Sequence, residues 1–240
     1  MANENPYHES KTRKYVKTAC LCLAFLSLGL IMALPGPALP TLAYNIGIEI
    51  DAISFIFPSR AVGYLIGSIV SGVLHGKLDT YKMIGFSLMM TAIGFTSAPF
   101  FSSVILLAIA MTSMGISMGF LDTGGNVLCL EIWGDESGPF MQALHFSFAL
   151  GATTAPFLAQ PFIMEVVDTN TTTNMTTAAM INNFTAVTEL STTAVPPVRP
   201  GFPYVAWAFI ICGSLTIMIS IAFLYLSFSK RSKAASKQEN

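Results

Sequence analysis

Residues 104–130 read VILLAIAMTSMGISMGFLDTGGNVLCL, a long apolar run that contains a single carboxylate, Asp122. A helix needs about 20 mostly apolar residues to cross a bilayer, and this run is longer than that. Other runs of the chain qualify as well. The sequence therefore predicts an all-α integral membrane protein with six spans, at 16–39, 52–75, 83–101, 104–130, 139–164 and 203–228.

The composition of the whole chain agrees with this prediction. Of its 240 residues, 10% are charged and 53% are hydrophobic, whereas roughly a quarter of an ordinary soluble domain is charged. The net charge of −1 gives no sign of polyanion binding, so nucleic acid is not expected as a partner. The cysteines lie inside apolar runs, and the chain lacks metal, phosphate-loop and nucleophile motifs. Neither an enzyme nor a resident cofactor is therefore expected.

The positions of Lys and Arg predict the topology. Ten of the twelve flank the spans on one side if both termini are cytoplasmic, and such a bias favours that side as the cytoplasm. The remaining two are Arg60, inside the second span, and Arg199, in the connection between the fifth and sixth spans. The predicted organisation is a cytoplasmic tail (1–15), a six-helix unit (16–228) and a basic cytoplasmic linker (229–240).

The connection 165–202 supports the same topology independently. It is rich in threonine and contains three N-x-Ser/Thr acceptor sequences, at Asn170, Asn174 and Asn183. Glycan acceptors of this kind lie on the lumenal or external side. We therefore expect an extracellular, glycosylated loop in a plasma-membrane protein.

Polar side chains within the fourth span are candidates for a binding site. Asp122 and Asn126 are four residues apart and share one helix face, with Thr123 beside them and Gly115 and Gly119 on or near that face. The glycines allow a neighbouring backbone to approach closely. An ionisable group at this depth is costly and is by default a functional hypothesis. Coordination of a cation or a polyol is one possibility, and an interhelical hydrogen-bond network is the alternative.

Three further polar side chains lie in or near spans. Three interactions of the Arg60 side chain are consistent with its position: an ion pair with Asp122, an ion pair with acidic residues at the outer end of its own span, or extension to the membrane interface. Gln142 and His145 are three residues apart near the start of the fifth span. They either line a pathway or anchor the helix at the interface.

Three prolines interrupt the first span, in the segment ALPGPALP at 33–40. Proline lacks an amide donor and breaks the helical ladder. An unwound segment at membrane depth would expose carbonyl groups that can ligate Na⁺. A break at the outer interface would instead be an ordinary helix end.

Three blocks carry a resemblance to a known family. LDTGGN at 121–126 and MQALHFSFALGA at 141–152 resemble the sodium-dependent sugar carriers of the fucose permease-like branch of the major facilitator superfamily. The connection SGVLHGKLDTYK at 71–82 looks like a degenerate form of the superfamily signature. By that resemblance, one gate of the transporter is stabilised by Gly72, Gly76, Asp79 and Lys82.

The resemblance implies a twelve-helix fold, of which this chain supplies the N-terminal half, built as two three-helix inverted repeats. It implies Na⁺-coupled symport of glucose or a related hexose across the plasma membrane, with a missing C-terminal half or a second copy needed for transport. Fucose permeases carry a second acidic residue in the first helix, whereas residues 23–42 here contain none. That difference favours Na⁺ over proton coupling. The residues implied at the ion and sugar site are Asp122, Asn126, Thr123, Gln142, His145 and Arg60.

Three alternatives remain open. A related orphan group of the same branch, the 4A-like facilitators, shares the acid and amide of LDTGGN but replaces its two glycines. A half-length membrane protein that associates with complete carriers and does not transport is the second alternative. The third, a small-solute channel, would conduct independently of Na⁺.

Overall fold

The computed structural model describes residues 11–163 and 204–235, which are helical apart from short connections. The α-helices in chain order are α1 (Lys11–Ala33), α2 (Pro35–Ile46), α3 (Ile50–Ile53), α4 (Ile56–Leu74), α5 (Thr80–Ser97), α6 (Val104–Trp133), α7 (Ser137–Ala159) and α8 (Ala206–Ala235). Short 3-10 turns follow α5, α6 and α7. The glycan acceptors Asn170, Asn174 and Asn183 lie outside the described residues.

The described helices confirm the predicted all-α membrane architecture. Five helical stretches are long and apolar enough to cross a membrane, namely Lys11–Ala33, Ile50–Leu74, Thr80–Phe100, Val104–Phe162 and Ala206–Ser227. The fourth stretch has 59 residues and contains both α6 and α7, which a 3-10 turn at Gly134–Glu136 separates. The first predicted span, 16–39, therefore covers most of α1 and the start of α2, and the other five correspond to α4, α5, α6, α7 and α8.

The structure differs from the predictions at three places. At the start of the chain, α1 begins at Lys11, inside the predicted tail 1–15. At the proline segment the chain kinks and does not unwind: Leu34 keeps helical dihedrals, donates to the Leu30 carbonyl at 3.0 Å and accepts from Ala38 at 3.3 Å. Pro35 and Pro37 lie in the first turn of α2, where the amides have no intrahelical partner, so they cost no helical hydrogen bond. Pro40 lies inside α2 and removes one helical hydrogen bond without ending the helix. The backbone thus offers no unwound segment for Na⁺. At the other end of the chain, α8 continues to Ala235, inside the predicted linker.

The helix pairs show the internal symmetry of the bundle. The most extensive contacts join α1 to α7, α4 to α6, and α5 to α8. We take α1, α4 and α5 as one repeat and α6, α7 and α8 as the other. A two-fold exchange of the repeats swaps α1 with α6, α4 with α7 and α5 with α8, and it therefore converts the α1–α7 pair into the α4–α6 pair. The same exchange maps α5–α8 onto itself. This pairing is the one expected of two three-helix inverted repeats.

Glycines allow the helices of the α4–α6 pair and of the α1–α7 pair to approach closely. A Cβ atom added to Gly67 of α4 would overlap the Ile116 carbonyl of α6, and one added to Gly119 of α6 would overlap the Tyr64 carbonyl of α4. The α1–α7 pair shows the same arrangement at Gly29 and Gly151. Small residues of this kind let helices pack through their backbones in a membrane.

Aromatic and charged side chains gather at one end of the bundle. The Trp133 ring at the end of α6 stacks on Phe140 of α7 with centroids 3.6 Å apart, and its Nε1 donates to Thr18 Oγ1 of α1 at 2.8 Å. His75 Nε2, just after α4, lies 3.2 Å from Glu131 Oε1. The start of α1, the α4–α5 connection and the α6–α7 turn therefore share one end, as the charge pattern predicts. That this end is cytoplasmic stays a prediction.

Candidate functional site

The candidate site is centred on Asp122, at the 19th of the 30 residues of α6. Its Oδ2 accepts a hydrogen bond from the Tyr64 hydroxyl of α4 at 2.5 Å. Its Oδ1 accepts one from Nδ2 of Asn126 at 3.3 Å. Both carboxylate oxygens are therefore engaged by neutral donors, and the second contact confirms that Asp122 and Asn126 share a helix face.

The glycine contacts explain why Tyr64 reaches α6. Gly119 of α6 packs directly on the backbone of α4 at Tyr64, and Gly115 packs on the Arg60 carbonyl one turn away. With the two backbones this close, the tyrosine ring spans the distance to a carboxylate one turn further along α6. The packing of the helices and the geometry of the site thus depend on the same glycines.

The other polar side chains near Asp122 supply further oxygen atoms. Oδ1 of Asn126 is buried and has no hydrogen-bond partner within the described part of the chain, and Thr123 is half-buried beside Asp122. Carboxylate, amide and hydroxyl oxygens are the ligands that hard cations prefer, and they also match the hydroxyl groups of a sugar. Among residues 11–163 and 204–235, no cluster of three or more His, Cys, Asp or Glu could hold a metal ion.

Tyr64 belongs to the site but is not among the residues predicted from the sequence. The residue lies at the middle of α4, nine residues into a 19-residue helix. Tyrosine is enriched at the membrane–water interfaces and not at the centre of a span. A tyrosine at mid-span, next to Gly63, was the available signal that its hydroxyl has a partner inside the bundle.

Arg60 lies at a different place from the Asp122 group. Its Nη1 donates to the Met32 carbonyl at the end of α1 at 3.1 Å, and its guanidinium carbon lies 5.5 Å from the centroid of the Phe57 ring. Arg60 therefore connects α4 to the proline kink of the first span. Among the residues that the structure describes, Arg60 pairs neither with Asp122 nor with the acidic residues at the outer end of its span.

Gln142 and His145 lie on the first turns of α7, and both side chains are exposed. The His145 ring packs edge to face against Phe25 of α1, with centroids 6.0 Å apart. Phe25 is fully buried and also contacts Gly125 of α6. The polar pair is thus one aromatic ring away from the helix that carries Asp122, and it makes no recorded hydrogen bond to that group.

The residues of the gate signature lie at the end of the bundle that contains the start of α1. Gly76 has a φ of 80°, a conformation that glycine adopts without strain, and Gly72 has open space around its Cα. Asp79 caps α5 by accepting from the Tyr81 amide at 3.0 Å and accepts from Ser227 Oγ of α8 at 3.2 Å. Asp79 therefore holds the third and sixth spans together, while Lys82 lines a neighbouring groove.

Six apolar helices in two exchanged repeats, with a carboxylate held between two of them, are the arrangement expected of one half of a major facilitator fold. The chain belongs to the Major Facilitator Superfamily, whose family model matches residues 21–240. This membership confirms the predicted multi-pass membrane architecture and puts the chain in a family of transporters, which are not enzymes.

Individual proteins of the family are similar to most of this chain. The chain is 38% identical over 222 residues to human Sodium-dependent glucose transporter 1, a match that covers 91% of this chain and 42% of that protein. It is 39% identical over 225 residues to the protein of the same name from Rattus norvegicus, covering 93% and 46%. It is 29% identical over 218 residues to Major facilitator superfamily domain-containing protein 4A of Mus musculus, covering 86% and 43%. The chain spans less than half the length of these relatives.

Proposed function

We propose that this chain forms the N-terminal half of a Na⁺-coupled symporter of glucose or a related hexose in the plasma membrane. The observation that carries the proposal is Asp122, a carboxylate inside a membrane helix with both oxygens engaged by neutral donors. The names of the relatives at 38% and 39% identity support the choice of ion and sugar.

Asp122 and Asn126 are the proposed centre of the ion and sugar site. Na⁺ needs oxygen ligands, and it would take the Asp122 oxygens in place of the donors that Tyr64 and Asn126 supply. Thr123 is a further hydroxyl ligand in this scheme. Gln142 and His145 would contact the sugar from α7. Arg60 would act indirectly, by holding α4 against the end of α1.

Exchange of donors for a cation gives a physical basis for coupling. In the proposed scheme, the Tyr64 hydroxyl would join α4 to α6 through the Asp122 carboxylate when no cation is bound, by the contact that the structure shows. With Na⁺ bound, Tyr64 and Asn126 would be released to bind sugar hydroxyl groups. Sugar affinity would then depend on Na⁺, which is the thermodynamic requirement for symport.

Transport by this scheme requires more than these six helices. In transporters built from two six-helix halves, substrate binds between the halves near the middle of the membrane. One half supplies one wall of such a cavity. The second wall is proposed to come from a C-terminal half or from a second copy of this chain.

The test is uptake of radiolabelled hexose by cells that express the complete carrier containing this chain, in Na⁺ medium and in choline medium. We expect Na⁺ to stimulate the uptake. We also expect the Na⁺ concentration that gives half-maximal uptake to depend on the sugar concentration. Equal uptake in the two media, from protein present at the cell surface, would overturn the assignment of Na⁺. The 240-residue chain expressed alone tests whether a second copy is sufficient.

A second candidate has a specific observation in its favour. The 4A facilitator matches 86% of this chain at 29% identity, so an orphan substrate remains the alternative to hexose. A broad panel of labelled solutes distinguishes the two, because a 4A-like carrier would transport another member of the panel. A non-transporting partner of complete carriers would differ from both, because it would change their uptake without adding its own.

A further inference from the structure

A groove of about 520 Å³ lies between α5 and α6, away from Asp122. Phe86 and Met90, four residues apart on α5, contribute one wall, and Ile116 and Phe120 of α6 contribute the other. The Phe86 and Met90 side chains are 62% and 52% exposed, so neither is covered by the rest of the chain. This surface is long, apolar and open along one side.

One end of the groove is basic. Lys77 and Lys82 line its mouth, together with Asp79. The carboxylate of Asp79 already accepts from the Tyr81 amide and the Ser227 hydroxyl. Neither lysine has a recorded ion-pair partner in the described ranges. Two ammonium groups thus lie at one end of an apolar groove, where an anionic group with an attached hydrocarbon chain is their natural complement.

The dimensions fit a lipid better than a small anion. Lys82 and Met90 are eight residues apart on α5, a distance of about 12 Å at the helical rise. A free phosphate would contact the lysines and leave the apolar walls unused. A phospholipid would use both ends, because its phosphate lies at the level of the interface and its chains extend along the helices.

We propose that this groove binds an anionic phospholipid of the cytoplasmic leaflet, with its phosphate between Lys77 and Lys82 and one acyl chain along Phe86, Met90 and Phe120. The proposal rests on the proposed cytoplasmic placement of this end of the bundle, where anionic lipids are concentrated. The bound lipid would lie against the connection in which Asp79 joins α5 to α8. It would therefore stabilise the same end of the bundle as the gate residues.

The experiment uses the purified chain in detergent and counts bound lipids by native mass spectrometry, with phosphatidylserine and phosphatidylcholine of equal chain length as probes. Lys77→Gln/Lys82→Gln is the test variant. Lys11→Gln/Arg13→Gln is the matched control, since both side chains are exposed near the start of α1 and do not line the groove. Retained helical content by circular dichroism confirms that each variant is folded.

The wild-type and control proteins are expected to retain phosphatidylserine in preference to phosphatidylcholine. The test variant is expected to bind phosphatidylserine about tenfold or more weakly, since each lysine near the surface contributes roughly 1 kcal/mol to binding of an anionic lipid. Equal loss in test and control variants, or equal binding of the two lipids by the wild type, would overturn the proposal. Full displacement by soluble glycerophosphoserine would also overturn it, because the apolar walls would then contribute nothing.

This experiment is independent of the topology and of transport. A tag at Asn240 that is reached from outside intact cells would overturn the leaflet assignment while lipid binding in detergent persists. Absence of Na⁺-stimulated hexose uptake would overturn the proposed function and leave the lipid result unchanged.

Discussion

The Tyr64 hydroxyl lies 2.5 Å from Oδ2 of Asp122, and this single contact leads to a measurable prediction. A hydrogen bond to a charged group contributes about 1.5–3 kcal/mol, and its loss leaves the carboxylate without that donor. We expect Tyr64→Phe to lower the thermal midpoint of the purified chain in Na⁺-free buffer. Added Na⁺ is then expected to raise the midpoint more in Tyr64→Phe than in the wild type, because the cation no longer competes with the hydroxyl.

The matched control is Tyr44→Phe, on α2, whose hydroxyl has no recorded hydrogen bond to any residue in 11–163 or 204–235. That change should leave both the midpoint and its response to Na⁺ near wild type. If Na⁺ stabilised Tyr64→Phe less than the wild type, the hydroxyl would be a partner of the ion and not its competitor. The scheme of donor exchange would then be wrong.

At the same scale, the sequence predicted Asp122 and its neighbour Asn126 but not the partner on the facing helix, Tyr64. Asp122 and Asn126 could be predicted as neighbours because helical periodicity alone puts them on one face. Tyr64 could not be paired with Asp122, since that contact depends on which helix packs against α6. Arg60 illustrates the same limit: its length allowed several partners, and the Met32 carbonyl became its acceptor only through the position of the kink in the first span.

Helix contacts through glycine give the prediction at the scale of elements. A Cβ atom at Gly67 meets the backbone at Ile116, whereas a Cβ atom at Gly72 of the same helix meets nothing within 4 Å. Gly67→Ala is therefore expected to destabilise the chain by about 1–3 kcal/mol through overpacking. Gly72→Ala is expected to be neutral or slightly stabilising, because alanine is favoured over glycine in a helix by about 1 kcal/mol.

Thermal unfolding of the two variants in the same detergent, followed by size-exclusion chromatography, measures this difference. A Gly67→Ala protein as stable as Gly72→Ala would show that α4 and α6 are further apart than the structure has them. In that case the Tyr64–Asp122 contact would also be in doubt.

The existence of the spans was predictable, but their ends and partners were not. Runs of apolar residues predict where helices cross, since every backbone polar group in a bilayer must be satisfied within a helix. The kink at Pro35 was harder to predict, because proline permits either unwinding or the first turn of a new helix. The pairing of α1 with α7 and of α4 with α6 follows from glycines that face each other across helices, and spacing along one chain does not reveal which glycines those are.

For the whole molecule, both termini are predicted to be cytoplasmic and the connection 165–202 extracellular. Removal of N-linked glycans with a glycosidase should sharpen and lower the gel band. A variant in which Asn170, Asn174 and Asn183 are all replaced by Gln should give the same lower band without glycosidase treatment. A tag at Asn240 should stay hidden from antibody until the cells are permeabilised, and staining of intact cells would show that the orientation is reversed.

The central claim is that Asp122 couples Na⁺ to hexose transport, and Asp122→Asn in the complete carrier tests it most directly. The amide keeps the size of the side chain and can still bond a sugar hydroxyl, but it supplies no charge for a cation. Labelled-hexose uptake would be measured in Na⁺ and in choline, normalised to surface protein by biotinylation. We predict wild-type surface expression with loss of the Na⁺-stimulated component, and any residual uptake equal in the two media. Wild-type Na⁺ stimulation in a well-expressed Asp122→Asn carrier would contradict the account and remove Asp122 from the mechanism.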